Sequence, residues 1–302
     1  MIDLSKIKTE KENPNSVNFS EMSIEESVKL MNTEDINAVK CIESQYSEIA
    51  KLIEKTGEAL KQGGRIIYMG AGTSGRLGVL DAVECPPTFG VDYETVVGLI
   101  AGGENAFVKA KEGAEDNPTF GEEDLKKINL SPKDVVIGIA ASGRTPYVIG
   151  GLKYANEIGA ITGSIACTDG SEIGKISRFP IEVIPGPEVL TGSTRLKAGT
   201  ATKLILNMIS TISMKMVGKV YKNYMVDLKL SNKKLQVRGV NIVRAVTGVG
   251  EEIATEKLIE ANGHVKLAIV MIILNIGKEE AEQILENAKG NIQNIKRGEK
   301  YE

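Results

Sequence analysis

The sequence predicts an α/β protein: a mostly parallel sheet in a three-layer arrangement with helices, an N-terminal helical arm and a small C-terminal helical domain. Three observations predict it. β-rich apolar runs at 65–69, 95–100, 134–140, 160–166 and 181–184 alternate with helix-like stretches near 75–84, 104–115, 146–158 and 195–218, the rhythm of a parallel sheet covered on both faces. Before residue 65, Ile36, Val39, Tyr46, Ile49, Ile53 and Leu60 recur at helical spacing and stop at Gly63-Gly64. Beyond Gly218 the strand signal fades into amphipathic stretches punctuated at Gly248, Gly263 and Gly277. These shifts divide the chain into 1–56, 57–220 and 221–302.

Taken in order, residues 1–22 carry Asn13-Pro14-Asn15-Ser16 and many charges and read as an irregular arm. Ser23 and Thr33 read as helix N-caps, because a side-chain oxygen there accepts from the free amides of a first turn. Pro86 and Pro87 read as the stop of the helix that opens near residue 75, which puts Glu84 at its carboxyl end.

Composition narrows the function classes. With 37 Lys and Arg against 40 Asp and Glu, a net charge of −3, the chain lacks the basic footprint of a nucleic-acid or anionic-membrane binder. The longest apolar run, Leu267 to Leu274, is too short to span a bilayer, and the polar start offers no export signal. Cys41, Cys85 and Cys167 are scattered and odd in number, which points to a reducing cytoplasm. With one histidine, His264, in the terminal helical region and no clustered cysteines, a zinc or iron site has almost no ligands to use. Acid–base chemistry falls to carboxylates. Cys85 has no histidine nearby to activate it and reads as a small apolar filler.

The run at 65–69 leads into Gly70-Ala71-Gly72-Thr73-Ser74-Gly75, which matches the dinucleotide pattern G-x-G-x-x-G. That reading needs an acidic residue at the end of the second strand, where Gly98-Leu99-Ile100-Ala101 stands instead. What the loop does offer is hydroxyls, Thr73 and Ser74, and the design returns twice. Ser142, Gly143, Arg144 and Thr145 follow another strand, and Thr191-Gly192-Ser193-Thr194-Arg195 precedes the long helix near Lys197. Turns between strand and helix collect at the carboxyl edge of a parallel sheet, where hydroxyls and free amides suit a phosphomonoester. Singly, each Ser or Thr reads as a helix cap; three such turns on one edge read as a phosphate cradle. Arg76, Arg144, Arg195 and Lys197 are cations able to offset its charge or simply to face solvent, Lys197 being the first choice.

With those turns in place, the chain resembles the sugar isomerase (SIS) fold, and more closely the N-acetylmuramic acid 6-phosphate etherase family. The stretches "GAGTSGRLGVLDAVECPPTFG", "LIAGGENAFVKAKEGAEDN", "IGIAASGRTPYVIGGL" and "TGSTRLKAGTATKLILNMIST" are similar to that family's blocks, within a likeness running from "TEKENPNS" to "VKLAIVMIILN". Leu196 departs from the methionine the family often carries beside Lys197. The resemblance implies cleavage of the D-lactyl ether at C3 of the amino sugar, giving N-acetylglucosamine 6-phosphate and D-lactate, by a homodimer without cofactors. It places the family's functional glutamates on Glu84, the proton donor, and Glu115, the proton acceptor. The chemistry suits carboxylates: with the sugar open to its aldehyde, a base removes the acidic C2 proton, the C3 oxygen leaves, and water adds back. An isomerase of the same fold, and a sugar-phosphate-sensing regulator resembling the glucokinase regulatory protein, are the alternatives.

Overall fold

The structure, a computed structural model, describes residues 8–109, 111, 113–230 and 232–295. Five parallel strands, β1 (Ile66–Gly70), β2 (Val96–Ile100), β3 (Val135–Ile139), β4 (Ile161–Ala166) and β5 (Phe179–Glu182), form one sheet in the order β2-β1-β3-β4-β5. The register pairs Ile66 with both Val96 and Val135 and carries on to Gly70 beside Ile100 and Ile139. β1 and β3 are buried along their whole length, as expected of strands covered on both faces.

One face of the sheet packs α5 (Pro118–Lys127) and α6 (Pro146–Ile158), whose Leu125, Tyr147, Val148 and Leu152 join Ile67, Met69 and Val136 in one core. The other face is met by α2 (Tyr46–Lys61) and α3 (Gly72–Phe89). Their approach is close enough that a β-carbon on Gly163 would strike Leu52, and one on Gly98 would lie 2.5 Å from the Val79 backbone. Alternate residues of β1 thus serve opposite layers, a consequence of the two-residue period of a strand.

Contacts divide the chain into two compact units. The first holds the described residues up to Val83 together with Glu94–Ser210; the second holds Glu84–Tyr93 and the described residues from Thr211 onward. The helices before the sheet therefore cluster with it, including α1 (Ile24–Lys40). The second unit has its own core around Val243, Leu258, Val265, Ala268 and Ile269, built on α9 (Lys233–Thr247), α10 (Glu251–Glu260), α11 (Val265–Leu274) and α12 (Lys278–Asn287). A short hairpin, β6 (Val220–Tyr221) with β7 (Tyr224–Met225), escaped the sequence reading, because two residues per strand leave no periodicity to see. Among the described residues no helix is long and apolar enough to cross a membrane.

Three local expectations change. Ser23 caps α1 through a full capping box with Glu26, but Thr33 lies inside that helix and turns its hydroxyl back to Lys29 O at 2.8 Å. The helix expected over 104–115 is a single turn, α4 (Asn105–Val108), followed by a bend and then α5. Asn117 caps α5, accepting from Thr119 N, and Pro118 fits its first position. Finally, α3 does not stop at Pro86-Pro87 but runs to Phe89. The prolines forfeit only their own N–H donors, so the Ala82 and Val83 carbonyls lose intrahelical partners while the chain stays helical. Gly90, at φ +65, ends the helix instead.

Candidate functional site

The strand order 2-1-3-4-5 puts the switch point between β1 and β3, where crossovers leave in opposite directions and open a crevice at the carboxyl ends. Two of the three hydroxyl-rich turns emerge there. The turn after β1 is made by its glycines. A β-carbon on Gly75 would lie 2.6 Å from Gly70 O and 2.8 Å from Ile100 Cγ1, so the helix can seat this tightly only without side chains. Gly72 supplies a left-handed φ of +52, with open space above it. Gly75 N donates to Ala71 O at 3.2 Å, leaving the amides of Gly72, Thr73 and Ser74 without intrahelical acceptors.

The corresponding amides elsewhere on this edge are already occupied. At the start of α8 (Lys197–Met216), the Glu188 carboxylate accepts from Lys197 N and Ala198 N, both at 2.9 Å. After β4, at the start of α7 (Glu172–Ile176), Glu182 accepts from Gly170 N and Ser171 N at 2.8 Å. At α6, Pro146 has no N–H, and Tyr147 N donates to Glu115 O at 3.0 Å. The protein's own carboxylates and carbonyl fill the other helix ends and leave the β1–α3 turn open to an anion.

The hydroxyls behave differently from caps. Among the described residues, the side chains of Thr73, Ser74, Ser142, Thr145, Ser193 and Thr194 make no hydrogen bond within the chain. Thr145 stands at the N-cap of α6 yet gives it no side-chain bond. By contrast Ser23 and Ser171 do cap their helices. Gly143, at φ +73, has a contact surface where a β-carbon would lie 2.4 Å from Ser171 Cβ, which fixes the sharp bend between Ser142 and Thr145.

Within the first unit these turns adjoin. Thr73 Cγ2 lies 3.6 Å from the place of a β-carbon on Gly199, and Thr194 O lies 3.5 Å from it, so the third turn flanks the first. Glu115 links the other two. Its carbonyl is bonded to the first turn of α6, and it lines a cleft of about 180 Å³ with Ala71, Gly72, Arg76, Ala101 and Lys111. The Glu115 carboxylate is exposed, as is Asp116, while Glu112 lies outside the described residues.

The cations sort unevenly. Arg76 donates to Phe107 O (2.8 Å) and Ala106 O (2.9 Å), holding the carbonyl end of α4 over the cleft. Lys197, the first choice to offset phosphate charge, is instead 1% exposed and bonded to Glu34 Oε2 at 2.5 Å. Arg195 is exposed. Arg144 in the second turn keeps a buried Nε with no hydrogen-bond partner among the described residues. Glu84 lies exposed on α3 and belongs to the second unit. The helix continues beyond it to Phe89, so this carboxylate does not stand at the helix end that the sequence predicts. His264 stands at the start of α11 without capping it, and Cys85 is buried. Sequence reading missed Glu182 and Glu188: Glu188 precedes its helix by nine residues, while Glu182 folds back from β5 onto amides eleven and twelve residues before it, which no local pattern announces.

The chain is similar to known proteins over most of its length. A model of the glucokinase regulatory protein N-terminal SIS domain matches residues 48–156, and one of the C-terminal lid domain of glucokinase regulatory protein matches residues 222–266. The chain is 60% identical over 282 residues to the N-acetylmuramic acid 6-phosphate etherase of Francisella philomiragia subsp. philomiragia, covering 93% of this chain and 96% of that one. The protein of that name from Halalkalibacterium halodurans is 56% identical over 289 residues, with 96% and 97% covered. The one from Bacillus cereus is 55% identical over 287 residues, with 95% and 98% covered. With identity of this level over more than nine-tenths of the chain, the chain belongs to the N-acetylmuramic acid 6-phosphate etherase family.

Proposed function

We propose that this protein is a carbon–oxygen lyase that cleaves the D-lactyl ether of N-acetylmuramic acid 6-phosphate to N-acetylglucosamine 6-phosphate and D-lactate. The observation that carries the reading is the 60% identity to an etherase over 93% of the chain. The cradle adds a physical reason: the 6-phosphate sits on the open amides of Gly72, Thr73 and Ser74, with the hydroxyls of Ser74, Ser142, Thr145, Ser193 and Thr194 as further donors. Lys197 does not bind the phosphate in this reading, its ammonium being held by Glu34 and its backbone N–H by Glu188.

In this reading Glu115, beside the cradle, removes the C2 proton of the open-chain aldehyde. The C3–oxygen bond breaks as Glu84 protonates the departing lactate, and water then adds at C3 of the unsaturated aldehyde. The chain's own carboxylates suffice for each proton step. The free thiols of Cys41, Cys85 and Cys167 support placement in a reducing cytoplasm, where such a product would feed cell-wall recycling. Ile24, Val28, Ile36 and Val39, all exposed on α1, support a homodimer that covers them.

The two glucokinase-regulatory-protein matches favour a second reading, a sugar-phosphate sensor without turnover. Incubation with N-acetylmuramic acid 6-phosphate decides between them: the lyase releases D-lactate, and the sensor binds without doing so. In D₂O the N-acetylglucosamine 6-phosphate formed should carry deuterium at C2, whereas hydrolysis at C3 leaves C2 unlabelled. Slowed turnover of C2-deuterated substrate identifies elimination even if the abstracted proton returns without exchange.

A further inference from the structure

The N-terminal arm ends in a buried polar network that the reaction does not use. Asn13, 2% exposed, donates from Nδ2 to Glu34 Oε2 (2.9 Å) and to Pro187 O (3.0 Å). Asn15 Nδ2 donates to Glu34 Oε1 at 2.8 Å, and Lys197 Nζ donates to Glu34 Oε2 at 2.5 Å. Glu34 is 5% and Glu188 0% exposed, the latter bonded to the amides of Lys197 and Ala198. Removing these charges from water is costly, and such a network adds little net stability over apolar packing of the same volume. What it does supply is geometry.

The geometry is specific. Pro187 and Glu188 stand just before the third hydroxyl turn, and Lys197 just after it, so the network grips both ends of the 187–197 segment. Its middle is touched as well, since Glu10 Oε2 lies 2.9 Å from where a β-carbon on Gly192 would stand. Further back, Lys8 Nζ pairs with Asp169, in the turn after β4, at 2.9 Å. The arm therefore lies along the carboxyl edge from the β4 turn to the β5 turn. The segment it grips presents Ser193 and Thr194, whose hydroxyls make no hydrogen bond among the described residues.

We infer that Glu10, Asn13 and Glu34 are positioning residues, holding the 187–197 segment so that Ser193 and Thr194 meet the phosphorylated sugar. The inference rests on the cradle reading above. None of the three touches the reacting atoms; they act through the turn.

Two variants of the full chain test it: Asn13→Ala, which removes the link to Pro187, and Glu10→Ala, which removes the carboxylate at Gly192 and unpairs no buried group. Two measurements are made on each. Amide hydrogen exchange of residues 188–196, without ligand, should quicken by roughly tenfold as the segment opens locally. The KM for D-lactate release from N-acetylmuramic acid 6-phosphate should rise about tenfold while kcat stays within about threefold, as for lost binding that is equal in ground and transition states. A folded variant in which exchange at 188–196 is unchanged overturns the inference. Faster exchange with an unchanged KM also overturns it, because the segment would then be held for stability alone. If Asn13→Ala does not fold, Glu10→Ala carries the same decision. Absence of turnover in the unmodified protein defeats the functional reading instead, and exchange still reports whether the arm holds the turn.

Discussion

Asp81 on α3 offers a sharp test of the energetics beneath the site. It is 5% exposed and accepts from Ser210 Oγ at 3.2 Å. Burial dominates its environment and pushes its pKa up to about 6 from 3.8, against the opposing pull of bonds from Ser210 and Tyr68 and the charge of Lys203. Since the folded value exceeds the unfolded one, the native state keeps a proton that the unfolded chain has lost. The stability linked to this group is therefore fully present below about pH 4 and is lost as the pH rises through about 6, a total of about 3 kcal/mol. Asp81→Asn keeps the shape and removes the titration. The stability of the variant relative to the unmodified protein should rise by about 3 kcal/mol between about pH 4 and pH 7.5. Urea unfolding followed by circular dichroism measures this, the chain having no tryptophan for fluorescence. Asp81 lies in the unit that holds the sheet, so if unfolding shows more than one transition, the one that includes the sheet is followed. Carbon-13 titration of the Asp81 carboxyl gives an independent midpoint. A stability difference flat with pH to within about 0.5 kcal/mol, or a midpoint near the ordinary carboxylate value, would refute the burial argument.

Other outcomes follow from the site. Glu84→Gln and Glu115→Gln should each lower turnover by roughly 10²–10⁴-fold with the fold intact by circular dichroism, and each should remove one limb of the rate–pH profile. Ser142→Ala and Thr145→Ala should weaken binding of N-acetylglucosamine 6-phosphate by about 1–3 kcal/mol per lost bond to the charged group, measured by calorimetry. Gly75→Ala should destabilise the protein by about 1–3 kcal/mol in urea, because its methyl group would sit 2.6 Å from Gly70 O.

The sequence by itself determined the sheet, its five strands within two residues at most ends, and the three turns that line its carboxyl edge. Those signals are local: a β-rich run, a glycine and a helical period all act within a few residues, where chain geometry leaves few alternatives. It also carried the family, through long motifs such as Arg76 to Gly90. Local reading failed where two local preferences compete. Pro86-Pro87 reads as a stop, yet α3 passes through to Gly90. Residues 104–115 read as helix, yet the helix ends at Val108, where Lys109 is extended, and Gly113 further on is left-handed.

Only the tertiary structure decided which turns can accept an anion. Lys197 reads in sequence as a phosphate cation, and nothing near it announces Glu34, which lies 163 residues away and takes its charge. The helix ends look alike as strings, but Glu188 and Glu182 fold back onto two of them and Glu115 O closes a third, leaving the β1–α3 turn open. The same folding sets Glu115 in the cleft beside Gly72, out of an acidic run that sequence alone reads as a solvated face. The physical reason is common to all three cases: hydrogen-bonding capacity is written in each residue, but which partner satisfies it is fixed only when distant segments pack.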